Sequence, residues 1–244
     1  MNPLPLISRL VRTIRRLDIE AVQNIPRRGA ALIAATHSSP LDFFYYLALM
    51  RRVGRSDHRF VAAAEIVDEE EFRPYVKAAL RAGLPGVGGH LGFVADFLSH
   101  VIPPLLRECN PIPVHRKGDD SEARTQSLEC LLSGQLLTIA PGTGDDSYRD
   151  SQGMRPLTYG VASIAYRYFD ATAEPLAVVP LAIQRLDRGM LAKVRMRVGR
   201  PFYGMSDKEY PELFSGIGQV ESAVKHEAYQ HFTKQLTLRL SELY

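Results

Sequence analysis

The sequence predicts an α/β domain with a mixed, largely parallel sheet, and two observations lead to this prediction. Short apolar runs of strand length alternate with longer helical patterns along the 244 residues. No repeat, low-complexity tract or Pro/Ser/Gly-rich linker divides the chain, so we expect one domain over 18–244. A hydrophobic content of 45% and a charged content of 23% are typical of globular proteins and supply an ample core.

An amphipathic helix is predicted over residues 1–17, before this domain. Leu6, Leu10 and Ile14 recur at helical spacing, while Arg9 and Arg16 lie on other faces. Such a helix either packs on its own domain, which we favour, or lies in a membrane interface with its arginines near anionic headgroups.

The elements of the domain follow in order from periodicity and turn signals. Apolar runs predict strands at 30–35, 60–63, 111–115, 136–140, 176–183 and 194–198. Helical spacing predicts helices at about 38–50, 69–82, 90–107, 121–133, 158–168 and 220–243. The adjacent Pro103 and Pro104 predict an interruption of the helix at 90–107, because proline lacks the amide hydrogen that a helix interior needs.

Charge and cysteine usage limit the function classes. A net charge of +3 is far below that of a dedicated nucleic-acid binder, so no nucleic-acid partner is expected, but it suits phosphates, a carrier protein or an anionic membrane. Cys109 and Cys130 lie in no metal-ligand cluster and predict two reduced thiols, with no metal site. No transmembrane run or secretory signal is present, so we expect a cytoplasmic protein, with peripheral contact at the inner face of the membrane as an alternative.

His37 and Asp42 are the candidate catalytic pair. His37 follows a predicted strand and Asp42 stands in the first turn of the next helix, so the two side chains can face each other. Asp42 would then orient one ring nitrogen of His37, and the other nitrogen could take a proton from a hydroxyl or amine. The spacing alone is weak evidence, because a strand-end histidine and a carboxylate favoured by the helix dipole also explain it.

Five ordered segments between residues 19 and 202 strengthen the hypothesis. They are Asn24-Ile25-Pro26 with the apolar strand and His-x4-Asp that follow it, Ile112-Pro113-Val114-His115-Arg116, Ile139-Ala140-Pro141-Gly142-Thr143, Val179-Pro180-Leu181-Ala182-Ile183 and Val198-Gly199-Arg200-Pro201. In these segments the chain resembles the glycerolipid acyltransferases, which act on glycerol 3-phosphate and lysophosphatidic acid.

The resemblance implies a sheet of seven or so strands flanked by helices. It also implies an acyl thioester, either acyl-coenzyme A or acyl carrier protein, as the donor substrate, with no other cofactor and a small-molecule or lipid acceptor. His37 would be the general base and Asp42 its orienting partner. Arg116, Gly142 and Thr143 would bind the acceptor or stabilise developing charge.

The third segment departs from the family pattern. Pro141 and Gly144 stand where the family carries a glutamate and usually an arginine, so the usual phosphate-bearing acceptor is in doubt. We therefore favour a non-standard acceptor over a conventional 1-acylglycerol-3-phosphate acyltransferase, and a catalytically degenerate lipid- or carrier-binding protein is the rival from another class. Arg116 could compensate, whereas Lys117, Arg149 and Arg155 are interpreted as solvated surface charge.

Compared with the family, the chain is also longer between its first and second segments. The additional residues are predicted to form a helical insertion at 69–98. We interpret this insertion as a lid or wall that shapes the substrate pocket, with structural padding as the alternative.

Overall fold

The computed structural model describes residues 17–37, 42–83, 91–115, 120–142, 154–186, 193–214 and 222–244. Within these ranges seven strands form one sheet: β1 Leu17–Glu20, β2 Ala31–Ala35, β3 His58–Ala63, β4 Ile112–Val114, β5 Leu136–Ile139, β6 Ala177–Arg185 and β7 Val194–Val198. Their order is β1-β7-β6-β2-β5-β3-β4, and only the β6–β7 pairing is antiparallel. The predicted mixed, largely parallel α/β fold is confirmed.

Helices cover both faces of the sheet. They are α1 Asp42–Val53, α2 Ala64–Val67, α3 Glu69–Gly83, α4 Leu91–Glu108, α5 Ser121–Leu132, α6 Gly160–Thr172, α7 Pro211–Phe214 and α8 Ser222–Ser241. The burial of β2 shows why helices are needed on both faces of the sheet. Its consecutive residues Leu32 and Ile33 point to opposite faces and are fully buried in two different core clusters. Ile33 packs with α1, α3 and α4, and Leu32 packs with α5, α6 and α8.

Two sequence predictions were wrong in detail. Leu17, assigned to the N-terminal helix, is the first residue of β1, and residues 1–16 lie outside the described residues. The helix around 90–107 is not interrupted, because α4 continues through Pro103 and Pro104. Burial of Ile102 and Leu106 in the core offsets the two missing amide donors.

One face of α4 is left uncovered. Phe93, Phe97 and Val101, spaced four residues apart, are 80%, 60% and 41% exposed. On the neighbouring helix α3, Arg73 and Lys77 approach Asp96 of α4 at 2.6 and 4.0 Å. No helix among the described residues has the length and apolar character that a membrane crossing requires.

The amino ends of the central strands are held together by one arginine. The guanidinium of Arg55 is buried and donates to the carbonyl oxygens of Pro26, Gly29 and Gly134 at 3.1, 2.9 and 3.2 Å. It also forms a two-pronged contact with Asp57 at 2.8 and 2.5 Å. Arg55 thus joins the turns that precede β2, β3 and β5 at the edge opposite the carboxyl ends of these strands.

Candidate active site

The position of His37 is set by the carboxyl end of β2. Thr36 extends the pairing of β2 with β6, since its amide donates to the carbonyl of Leu181 at 2.9 Å. Its hydroxyl oxygen also accepts the amide hydrogen of Ile183 at 2.8 Å. Because Thr36 is only 5% exposed and is bonded to β6 through both its amide and its hydroxyl, the backbone next to His37 is firmly placed.

His37 and Asp42 are in contact, as the sequence predicted. Nδ1 of His37 lies 3.1 Å from Oδ2 of Asp42. The Asp42 side chain is 2% exposed, and Asp42 begins α1, where the helix dipole favours a carboxylate. The His37 side chain is 32% exposed. A carboxylate on Nδ1 favours the tautomer that leaves the Nε2 lone pair available for a proton.

A mostly apolar cavity of about 440 Å³ opens beside this pair. Its polar groups belong to His37, Asp42, Tyr46, Arg155 and Thr158. The remaining walls are largely apolar and come from Phe43, Phe60, Val61, Ala62, Ala63, Ile66, Tyr75, Leu106, Val114, Ala140 and Gly142. Such a cavity, with few polar groups near one histidine, suits a ligand that is apolar along most of its length.

The helical segment between β3 and β4 contributes to this cavity. Ile66 of α2, Tyr75 of α3 and Leu106 of α4 all line it. Residues 69–83 and 91–98 of the predicted insertion are helical, as expected. Of the three lining residues, Tyr75 belongs to the predicted insertion, whereas Ile66 and Leu106 flank it, so the role of the insertion as a lid or wall stays a prediction.

Tyr46 was not singled out from the sequence. It lies one helical turn after Asp42, and its ring lines the cavity. Its hydroxyl is buried and has no hydrogen-bond partner among the described residues. Burial, and then the negative charge of Asp42, raise the pKa of Tyr46 well above its ordinary value, so the phenol stays protonated. The i, i+4 spacing from Asp42 was a usable signal.

Arg155 corrects the sequence interpretation. Arg155 was taken as solvated surface charge, but it is half-buried and lines the cavity together with His37. An antiparallel bridge between Gly142 and Leu157, and a 2.8 Å bond from the Thr158 amide to the Pro141 carbonyl, bring its segment to the site. Gly142 also lines the cavity, whereas Arg116, Lys117, Thr143, Gly144 and Arg149 lie outside the described residues.

The other candidate side chains lie elsewhere. His115 is exposed after β4, and His231 contacts the Tyr210 hydroxyl at 3.0 Å. His58 is bonded to the Thr138 hydroxyl at 2.8 Å, and burial lowers the pKa of His58 to about 3.

Cys109 and Cys130 are free thiols. Burial raises the pKa of each to about 11, so neither is a ready nucleophile at neutral pH. In the described ranges no group of three or more potential ligands could hold a metal ion.

Thr36 offers a direct test of how the site is held. We expect Thr36→Val to lower the free energy of unfolding by about 1–3 kcal/mol, because the buried amide of Ile183 loses its acceptor. Urea denaturation measures the change. Thr125→Val, at an exposed hydroxyl of α5, is the matched control and should change stability by less than about 0.5 kcal/mol. Equal losses in both variants would show that the Thr36 hydroxyl is not a structural anchor.

Comparison with known proteins gives a likeness to solved structures and no match of any other kind. No protein-family model matches the chain, and no curated protein matches it. Among solved structures, the 1-acyl-sn-glycerophosphate (LPA) acyltransferase PlsC from Thermotoga maritima is similar, with a TM-score of 0.47 and 16% sequence identity. The match covers 97% of this chain and 81% of that chain. At this identity the likeness carries no information on site residues or substrates.

Proposed function

We propose that the protein is an acyltransferase that moves an acyl group from a thioester to a hydroxyl or amine, with His37 as the general base. The observation that carries this proposal is the contact between His37 and buried Asp42 beside a largely apolar cavity. A base held by a carboxylate can activate an acceptor directly, so no covalent enzyme intermediate is required.

The proposed reaction has two steps. Nε2 of His37 takes the proton of the acceptor as the acceptor oxygen or nitrogen forms a bond to the thioester carbonyl carbon. The tetrahedral intermediate then expels the thiolate of coenzyme A or of a carrier protein, and the protonated His37 returns the proton to the sulfur. Asp42 stabilises the imidazolium that exists between the steps.

The volume and lining of the cavity support an acyl donor. The apolar walls contributed by strands and helices offer contact along an acyl chain, while His37 and Asp42 supply the polar pair at the cavity. Arg155 adds a positive charge that suits the oxyanion of the intermediate or an acidic group of a substrate. Arg116 and Thr143 remain proposed substrate-binding residues.

The acceptor is proposed to be non-standard, such as an amino acid, a specialised metabolite or an unusual lipid head. Pro141 and Gly144 supply neither the carboxylate nor the guanidinium that the glycerolipid acyltransferases carry at these positions. Each charge-assisted hydrogen bond lost in this way is worth about 1.5–3 kcal/mol. Lysophosphatidic acid is the second candidate acceptor. The cavity-lining Arg155 favours it, because a guanidinium binds phosphate well.

The proposal is tested by incubating the protein with medium- and long-chain acyl thioesters of coenzyme A and of carrier protein. The acceptors should include glycerol phosphates, amino acids and amino alcohols. Mass spectrometry of the products and titration of the released thiol are the two measurements. We expect an acylated acceptor and an equal amount of thiol. Tight thioester binding without any product would favour the rival, a binding protein that does not catalyse transfer.

A peripheral membrane contact is also proposed, at the exposed face of α4. Phe93 and Phe97 would enter the lipid interface, and Arg73 and Lys77, which approach Asp96 of α4, would meet anionic headgroups. We expect Phe93→Ser/Phe97→Ser to lower the fraction of protein that floats with anionic vesicles several-fold. Leu238→Ser, at an exposed leucine of α8, is the control and should float like the unchanged protein. Unaltered flotation of the double variant would exclude this face as the contact.

A further inference from the structure

A second, much smaller cavity lies next to His37. Its volume is about 10 Å³, and it is lined by Thr36, His37, Gly142, Met154, Arg155, Leu157 and Tyr244. Three of these residues, His37, Gly142 and Arg155, also line the large apolar cavity. His37 therefore borders two spaces of very different size.

Tyr244 is held in this place by the sheet. Its backbone oxygen accepts hydrogen bonds from the Gln184 side-chain amide of β6 at 3.1 Å and from the guanidinium of Arg197 of β7 at 3.2 Å. Arg197 also donates to the carbonyl of Leu243 at 3.0 Å and contacts Glu20 of β1 at 3.1 Å. Three strands thus position the backbone that carries the Tyr244 side chain.

The Tyr244 side chain is also packed. It lies against the core cluster beneath α5, α6 and α8, as does Leu157. The bonds from Gln184 and Arg197 reach backbone oxygens of residues 243 and 244, so a substitution of the Tyr244 side chain leaves these bonds in place.

We propose that Tyr244 forms the wall on the acceptor side of the active site and limits the size of the acceptor that reaches His37. This inference rests on the proposed acyl transfer. An acyl chain suits the large apolar cavity, so the acceptor approaches His37 from the other side, where Arg155 and Tyr244 lie. A volume of about 10 Å³ holds no more than one water molecule, so the bulk of Tyr244 decides which acceptors fit there.

Replacement of Tyr244 should therefore change acceptor selection and leave the donor unaffected. In Tyr244→Ala we expect kcat/KM for a bulky acceptor, relative to that for a small one of the same chemistry, to rise about tenfold. KM for the acyl thioester should stay as it was. Tyr244→Phe keeps the ring and should retain the original preference. An unchanged acceptor ratio in an active Tyr244→Ala enzyme overturns the proposal.

A second measurement does not depend on turnover. Diethyl pyrocarbonate modifies accessible neutral imidazoles, and peptide mass spectrometry gives the rate at each histidine. We expect His37 to react several-fold faster in Tyr244→Ala, with His58, whose Nε2 contacts the Thr138 hydroxyl, as the internal reference whose rate stays the same. Tyr203→Ala removes an exposed tyrosine that lines neither cavity and should leave the His37 rate unchanged.

The two measurements separate the inference from the proposed function. An unchanged His37 labelling rate in Tyr244→Ala shows that Tyr244 does not cover this side, and it overturns the inference even if acyl transfer is found. If His37 is labelled faster in Tyr244→Ala but no acceptor is acylated by the unchanged protein, Tyr244 does cover His37. The proposed acyl transfer is then overturned, and the proposed selection of acceptors falls with it.

Discussion

Alanine in place of His37 is expected to lower kcat/KM for acyl transfer by about 10²- to 10⁴-fold, the usual contribution of a positioned general base. Tyr46, which also lines the cavity, cannot replace the imidazole as the base, because its pKa is raised and the phenol is already protonated. Binding of the acyl thioester should be retained, since the apolar walls of the cavity are untouched. Initial rates and calorimetric titration of a non-hydrolysable thioester analogue provide the two readouts.

The matched control is His115→Ala. His115 is exposed after β4 and lines neither cavity, so its removal should leave turnover within about twofold. Asp42→Asn should give an intermediate loss, because the base remains but its orienting charge is gone. Undiminished turnover in His37→Ala would contradict the general-base mechanism, whatever the acceptor proves to be.

Arg55→Met is expected to be the most destabilising of the substitutions considered. The variant removes the donors to three carbonyl oxygens, those of Pro26, Gly29 and Gly134. At about 1 kcal/mol for each net hydrogen bond, the free energy of unfolding should fall by about 3 kcal/mol. The ion pair adds little, because Asp57 is 43% exposed and its charge is screened by solvent.

A loss of this size corresponds to a fall in Tm of roughly 6–12 °C for a chain of this length. Differential scanning calorimetry measures it. Arg52→Met serves as the matched control, since Arg52 is exposed at the end of α1 and its loss should cost less than about 0.5 kcal/mol. If both variants melt at the same temperature, the buried guanidinium does not join the three turns as described.

The central part of the fold could be predicted because its signals are local. β2, β5 and most of β6 are apolar runs whose residues are buried on both faces, so each is recognisable without knowing its neighbours. β1 was missed because it has four residues, two of them acidic, and depends on its pairing with β7. The continuity of α4 was missed because the sequence shows that Pro103 and Pro104 lack amide donors, but it does not show the buried contacts that offset this loss.

In the candidate site, too, the local contacts could be predicted and the long-range contacts could not. His37 and Asp42 come together across one strand end and one helix start, and the sequence placed them correctly. Arg155 and Tyr244 reach His37 only through long-range contacts, by way of the Gly142–Leu157 bridge and the bonds from Gln184 and Arg197. The spacing of residues along the chain does not reveal such contacts. From the sequence, Arg155 could therefore only be assigned to the surface, where most charged side chains lie.

The pairing of β1 with β7 has a consequence for synthesis on the ribosome. Leu17 pairs with Val194, and the Asn24 side chain donates to the Val198 carbonyl across 174 residues. At about 5–20 residues per second, the ribosome needs roughly 10–35 s to make β7 after β1 has been translated. The nascent β1 segment, with apolar Leu17 and Ile19, therefore waits unpaired for that time.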